Sequence, residues 1–495
     1  MGAEYLDYTN IRVAPYDFTI NDMVITESLN NHSKLIITGI VPEETKCKYV
    51  EETQAPIEVF TVGDSETPLF KGIVTKPLQK AEGNLYNIKL EAMSYSYLTD
   101  IKKNSRTFQD LPMTYQNVLD TVMGGYGGGG VLPYVDTSKP IGEFILQYKE
   151  TEWVFIRRLA SRFHVPLVPD SLIDAPAIYF GVPSRGSKGK LDRAKYTTHK
   201  DMEAYRRLKE NHIPGLSESD FIRYKIRCAE LMGMGDSMTL KGLTLRVMGL
   251  KREISKSALV NTYILSNDAG LQQKNLYNDP ISGMSINGTI IDRKNDCVKL
   301  WFDIDHEQSK DKACWFYYST NYTSGGSAGF YCMPEMNESS RVYFPSNKEA
   351  EGVAQSAVRQ PFQEAKDRGN PDIKYLRTKA GKEVRLYPGG ILIVAEDDKT
   401  FIDIKDLSEE SDETIAIKVI CKDHDIKFMT EKNLIFEAGE NIGVSAGQKV
   451  KLAIDPEAAT DISKGFEDAE LTTYIRLDGE SETVQINAKE VKTQD

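Results

Sequence analysis

Near its C-terminus the chain repeats itself every eight residues, and few folds tolerate such a period. Aligned from Asp425, four successive blocks place Ile426, Leu434, Ile442 and Val450 second, and Phe428, Phe436, Val444 and Leu452 fourth. The sixth position holds Thr430, Ala438, Ala446 and Ile454, and the seventh holds Glu431, Gly439, Gly447 and Asp455. Alternate residues of an extended segment point to one side, so each block offers one apolar strip, and glycine at the seventh position lets the chain turn at low steric cost. Each block is expected to be a short strand plus a corner.

A strand that short cannot hide its strip alone, and its edges leave amides and carbonyls unpaired. Several identical chains wound together would satisfy both needs, so Ile426, Phe428, Leu434, Phe436, Ile442, Val444, Val450 and Leu452 are expected to form the core of an intertwined oligomer. Ordinary antiparallel strands in a separate sandwich are the competing account. The stretches Gly390 to Val394, Phe401 to Ile404 and Ile415 to Cys421 upstream, and Leu471 to Leu477 and Thr483 to Ile486 downstream, are expected to continue the same rod.

The rest of the chain also reads mainly as β-structure. From Tyr16 to Asp100, short alternating apolar runs are broken by turn residues, with a hairpin expected at Ala81-Glu82-Gly83-Asn84. Thr114 to Met123 changes to a helical period and ends on the glycine run Gly124 to Gly130, read as a flexible loop. Thr151 to His164 is the clearest helix: Thr151 can cap it, and Trp153, Ile156, Ala160 and Phe163 recur at spacings of three and four. Ser184 to Lys190 reads as a basic polar loop, and Thr239 to Val247 and Leu259 to Leu265 as strands. Five short strands expected at Gly288 to Ile291, Val298 to Ile304, Ala313 to Tyr318, Gly329 to Met333 and Val342 to Phe344 suggest a small closed barrel. Arg359 to Asp372, broken by Pro361, Gly369 and Pro371, reads as a linker.

Composition removes several functions. The chain has 495 residues, 73 of them acidic and 61 basic, for a net charge of −12, the wrong balance for a nucleic-acid partner. No charged start followed by an apolar run marks the N-terminus as an export signal, and no apolar run is long enough to span a bilayer, so a soluble protein without a signal peptide, not an integral membrane protein, is expected. The six cysteines form no CxxC pair, which argues against a disulfide scaffold or a zinc knuckle.

Chemistry-bearing motifs are missing as well. The glycine run lacks the Gly-Lys-Ser/Thr ending of a phosphate loop, and Gly233-Met234-Gly235-Asp236 is followed by strands where a dinucleotide site would need a helix. His32, His164, His199, His212, His306 and His424 form no HExxH or His-x-His pattern, and no Gly-x-Ser-x-Gly occurs. Acidic pairs such as Glu409-Glu410 sit in polar turns. No enzyme activity, catalytic residue, cofactor or metal site is expected.

Three segments carry a family resemblance. Gln147-Tyr148-Lys149-Glu150-Thr151-Glu152-Trp153-Val154-Phe155-Ile156-Arg157-Arg158-Leu159 is similar to the start of a hub-domain helix in the VgrG spike family and the phage hub-and-spike proteins. Cys297-Val298-Lys299-Leu300-Trp301-Phe302-Asp303, with Phe330 to Glu335 and Arg341-Val342-Tyr343-Phe344, resembles that family's oligonucleotide/oligosaccharide-binding (OB) barrel. Asn370 to Gly381 looks like the join into the spike. The sequence departs from the family where Asn337-Glu338-Ser339-Ser340-Arg341-Val342 replaces the usual Gly-Asp-Glu-Val, and its Val-x-Gly octad pattern is weak.

The resemblance implies a mainly β protein: a β-barrel-rich hub domain with a few helices over residues 1–280, an OB-fold barrel over 281–358, a linker over 359–373, and an intertwined trimeric β-helical spike over 374–495. It further implies a homotrimer that caps a hexameric tail-tube protein, contacts baseplate proteins, and carries a PAAR-like tip protein and effector cargo. Such a part would be assembled in the cytoplasm, built into a contractile injection apparatus or phage-like particle, and ejected toward a target cell, puncturing its envelope. The alternative is a trimeric β-helical carbohydrate-binding or polysaccharide-cleaving tail protein, since β-rods and OB barrels also host sugars.

Overall fold

The computed structural model describes residues 6–42, 55–63, 66–190, 195–323, 328–355, 370–396, 399–407 and 415–445, and the backbone of 474–478 and 483–487. The chain divides into two units, Met1–Ala365 and Lys366–Asp495.

The first unit is organised by a twelve-stranded sheet. Its N-terminal half runs, in spatial order, through Ile11–Ala14, Pro56–Thr61, Thr67–Glu82, Leu85–Ser94, Lys34–Val41 and Thr19–Ser28. Alternation decides the faces: along Lys34–Val41 every second residue is buried, so Leu35 and Ile37 join Met23, Ile25, Phe70 and Leu90 in one core. The expected hairpin turns at Gly83, whose φ of +59° is a conformation glycine adopts without a Cβ clash.

Thr19–Ser28 pairs with Leu243–Ser255, which carries the sheet into a second half made with Ala258–Ser266, Ile222–Cys228 and Tyr196–Lys200. That half has its own core around Val247, Leu250, Tyr263 and Leu265. Ser187–Lys190, expected as a loop, is a short strand parallel to Ser237–Leu240; backbone pairing fixes it although all its side chains are exposed.

Between the halves lie helices α1 (Tyr115–Met123) and α2 (Glu152–Ser161), and a further helix, α3 (Met202–Glu210), follows in the second half. Thr114 caps α1 by accepting from Asn117 N, and Thr151 caps α2 by accepting from Val154 N at 3.3 Å. The spacing read from the sequence puts Trp153, Ile156 and Ala160 on the buried face of α2, against Val118 and Leu119 of α1.

The barrel region forms a five-stranded antiparallel sheet ordered Phe316–Tyr317, Cys297–Phe302, Ser285–Lys294, Ser339–Tyr343, Val353–Gln355. It closes on itself through a parallel bridge between Tyr318 and Ala354, with Ser319 N donating to Ala354 O at 2.8 Å. Numbered 1 to 5 in chain order, from Ser285–Lys294 to Val353–Gln355, the strands make the circuit 1-2-3-5-4-1, that of an OB barrel. Gly329 to Met333 is not one of its strands. Gly329, at φ +147°, makes only a single bridge to Thr323, and the fifth place is taken by Val353–Gln355, whose fully buried Ala354 points into the barrel.

In the second unit, Lys374–Arg377, Glu383–Tyr387, Gly390–Glu396, Thr400–Lys405 and Ile417–Cys421 pair in sequence order as an antiparallel meander. The upstream stretches expected as rungs of the rod therefore pair with their own chain neighbours, because short connections make the hairpin ladder the nearest partner. Tyr474–Asp478 and Thr483–Asn487 likewise pair with each other. Most of the expected linker lies outside the described residues.

Candidate functional site

The meander of the second unit has two unlike faces. Directly opposed residues share a face, and the register Leu376, Val384, Ile393, Ile402, Val419 forms one continuous rung. The next rung on that face is Leu386, Ile391, Ile404, Ile417. Every one of these residues is aliphatic, yet none is buried, and Ile417 is 62% exposed. The reverse face is laced with polar contacts: Glu383, almost fully buried, takes Arg385 Nε at 2.5 Å and Arg377 at 3.4 Å, and Tyr387 Oη donates to Asp403 at 3.0 Å.

The octads continue this exposure. Bends recur at 423–424, 431–432 and 439–440, so the corners fall at the seventh and eighth positions of each described block, and the residues between have no regular secondary structure. Ile426, Phe428, Leu434, Phe436, Ile442 and Val444 are all exposed, Phe436 at 65% and Val444 at 74%. They belong to no strand, and the backbone of 425–445 makes no hydrogen bond to another described segment. Val450 and Leu452 lie outside the described residues.

Covering a half-exposed aliphatic side chain is worth about 1 kcal/mol, so the nine of the meander face together represent on the order of 10 kcal/mol per copy. That is comparable with the roughly 4–15 kcal/mol that association costs. The face is thus large enough to contribute to an association, and no described residue covers it.

The first unit contains a different arrangement, which the sequence did not disclose. Arg158 of α2, 3% exposed, donates from Nε and Nη2 to Glu150 at 3.0 and 2.7 Å, from Nη1 to Glu349 at 2.8 Å, and from Nη2 to Leu146 O at 2.7 Å. Arg162 reaches the other Glu349 oxygen at 2.7 Å and Glu143 at 2.8 Å. Burial by itself would lower the Arg158 pKa, but the Glu349 and Glu150 carboxylates hold it above its ordinary value. Glu349 stands between the barrel's fourth and fifth strands, so these pairs tie α2 to the barrel.

Apolar packing reinforces the tie. Phe144 lies 5.1–6.1 Å, centroid to centroid, from Phe302, Phe316 and Phe344, inside the barrel's own core cluster. Arg158 had a local signal, a charge on the inward face of an amphipathic helix. Glu349, distant in sequence, had none.

Among the described residues, no group of three or more His, Cys, Asp or Glu side chains is placed to hold a metal, and no helix is long and apolar enough to cross a membrane. Burial pushes the Cys314 thiol up to about 12, so no thiolate forms there at neutral pH.

Fold and contacts together define a β-rich unit built on a twelve-stranded sheet and a closed barrel. Residues 45–163 match the family model described as the phage tail baseplate hub (GPD). Two chains from the Francisella PdpA-VgrG complex share the fold. The half-lidded form has a TM-score of 0.52 at 9% identity, covering 83% of this chain and 87% of that one, and the lidded form 0.51 at 10% identity, covering 82% and 76%. An E. coli component of the type VI secretion system, described as similar to the phage T4 tail proteins gp27 and gp5, aligns at a TM-score of 0.49 and 10% identity over 70% of this chain and 98% of its own. No curated protein sequence matches. Residues 45–163 are thus similar to the phage tail baseplate hub, and the fold is similar to that of the chains in the PdpA-VgrG complex.

Proposed function

We propose that the protein is the hub and spike of a contractile injection apparatus and works as a homotrimer, mechanically and without catalysis. The observation that carries this reading is the open aliphatic face of Leu376, Val384, Ile393, Ile402 and Val419, followed by octads whose apolar residues find no cover among the described residues. Copies of the same chain are the natural cover, because each brings an identical strip and the identical unpaired backbone. In this role the hub caps a hexameric tail tube among baseplate proteins, while the C-terminal unit leads into the target envelope and carries a tip protein and cargo. Wound chains suit that task, since force must break many interchain ladders together.

Light scattering on the full-length protein tests the assembly. The expected particle is three times the 55.7 kDa chain, resistant to dissociation, and truncation after Asp372 is expected to weaken trimerisation while leaving a folded hub. A stable 55.7 kDa particle would remove the reading.

A further inference from the structure

Between Lys312 and Glu335 the chain carries no charged residue, although charged residues make up 27% of the sequence, and it also contains no Leu, Ile or Val. What fills it is aromatic and hydroxyl-bearing. Trp315, Tyr317, Tyr322, Phe330 and Tyr331 are all exposed, Tyr317 by 74% and Tyr331 by 70%.

The barrel register gathers part of this set onto one outer surface. Val298 and Phe316 are opposed and buried in the core, so their neighbours Cys297 and Tyr317, also opposed, face outward, and Trp301 follows on the same side of its strand. Lys299, on that side too, sets its Nζ 4.9 Å from the centre of the Trp315 ring. Its charge is directed to backbone carbonyls, Lys310 O at 2.9 Å and Asp311 O at 3.5 Å, and the side chain is nearly buried. The segment that follows is pinned back onto the barrel. Tyr331 Oη donates to Asn295 O, in the first hairpin, at 3.0 Å, and Phe330 N donates to Tyr322 O at 2.8 Å.

We propose that this surface, on the barrel's second and third strands and first hairpin, binds a neutral glycan. Aromatic rings offer flat apolar faces to the CH faces of sugars, and Ser, Thr, Asn and Tyr groups supply adaptable hydrogen bonds. The barrel architecture binds oligosaccharides on the corresponding strands in other proteins. A nucleic-acid strand would require exposed cations that this stretch lacks. A contact with a second copy is disfavoured by the absence of the branched aliphatics that fill the open face of the C-terminal unit. The inference goes beyond the spike reading, giving the barrel a recognition role of its own.

Tryptophan fluorescence of the full-length protein tests it, because Trp301 and Trp315 lie on the surface while Trp153 is buried. Titration with chitohexaose, cellohexaose and maltohexaose is expected to give a saturable blue shift with at least one of them. W315A and Y317A are expected to weaken that binding about tenfold, the loss of one stacking contact, with an unchanged circular-dichroism spectrum, whereas W315F retains most of it. No shift with any of the three sugars, or equal binding by both alanine variants, would overturn the proposal. A fall in the particle mass of W315A or Y317A would assign the surface to contact between copies and overturn it as well.

Discussion

The protein contains two five-stranded antiparallel sheets of similar size that solve the same problem differently. The barrel of Ser285–Gln355 closes through the Tyr318–Ala354 bridge, and Ile290, Val298, Leu300, Phe302 and Val342 vanish into its interior. The meander of Lys374–Cys421 stays open, and its equally apolar rungs remain in contact with water. The difference teaches that strand count and hydrophobicity do not decide whether a sheet is complete. A sheet that bends until its edges meet covers one face by itself, whereas one that does not must have that face covered by something else.

The largest test of this contrast puts a charge on the open face. Ile393→Asp would bury an unpaired carboxylate in every copy of an assembled face, at about 3–5 kcal/mol per copy, so the assembly is expected to dissociate at concentrations at least about a hundredfold higher than wild type, as read by sedimentation. An unchanged mass would mean that the meander needs no cover. The complementary change in the covered unit is Arg158→Met, which strands Glu150 and Glu349 and is expected to cost about 3–5 kcal/mol in urea unfolding of the first unit while leaving the particle mass unaltered.

Smaller effects of pH should also stay within the first unit, and so survive truncation after Asp372. Burial pushes the Glu27 carboxyl above its ordinary 4.5, against the pull of Arg252 at 3.8 Å. The folded protein therefore keeps that proton to higher pH than the unfolded chain, and stability falls as pH rises from 4.5 through the folded value; Glu27→Gln is expected to flatten this slope in urea titrations. Glu91 runs the other way. Hydrogen bonds from Lys89 and Lys34 hold it down to about 2, so its contribution is present above 4.5 and lost as pH falls toward 2. Because it sits at the surface, added salt is expected to shrink that loss, making it the smallest of the four effects.

Much of this was legible in the residues themselves, and the reason is periodicity. Alternation exposed the N-terminal strands, the spacing of Trp153, Ile156 and Ala160 exposed α2, and the octad phase located the bends at 431–432 and 439–440, because each pattern reports one short segment's own geometry. Partnership was decided elsewhere. That Val353–Gln355 and not Gly329 to Met333 completes the barrel, that the stretches from Gly390 to Cys421 pair along the chain, and that Glu349 meets Arg158 all depend on which distant segments come together, and no local pattern encodes that choice. By itself the sequence determined which residues must avoid water; only the tertiary structure decided which of them succeed within one chain, since burial is a property of closed surfaces and not of strands.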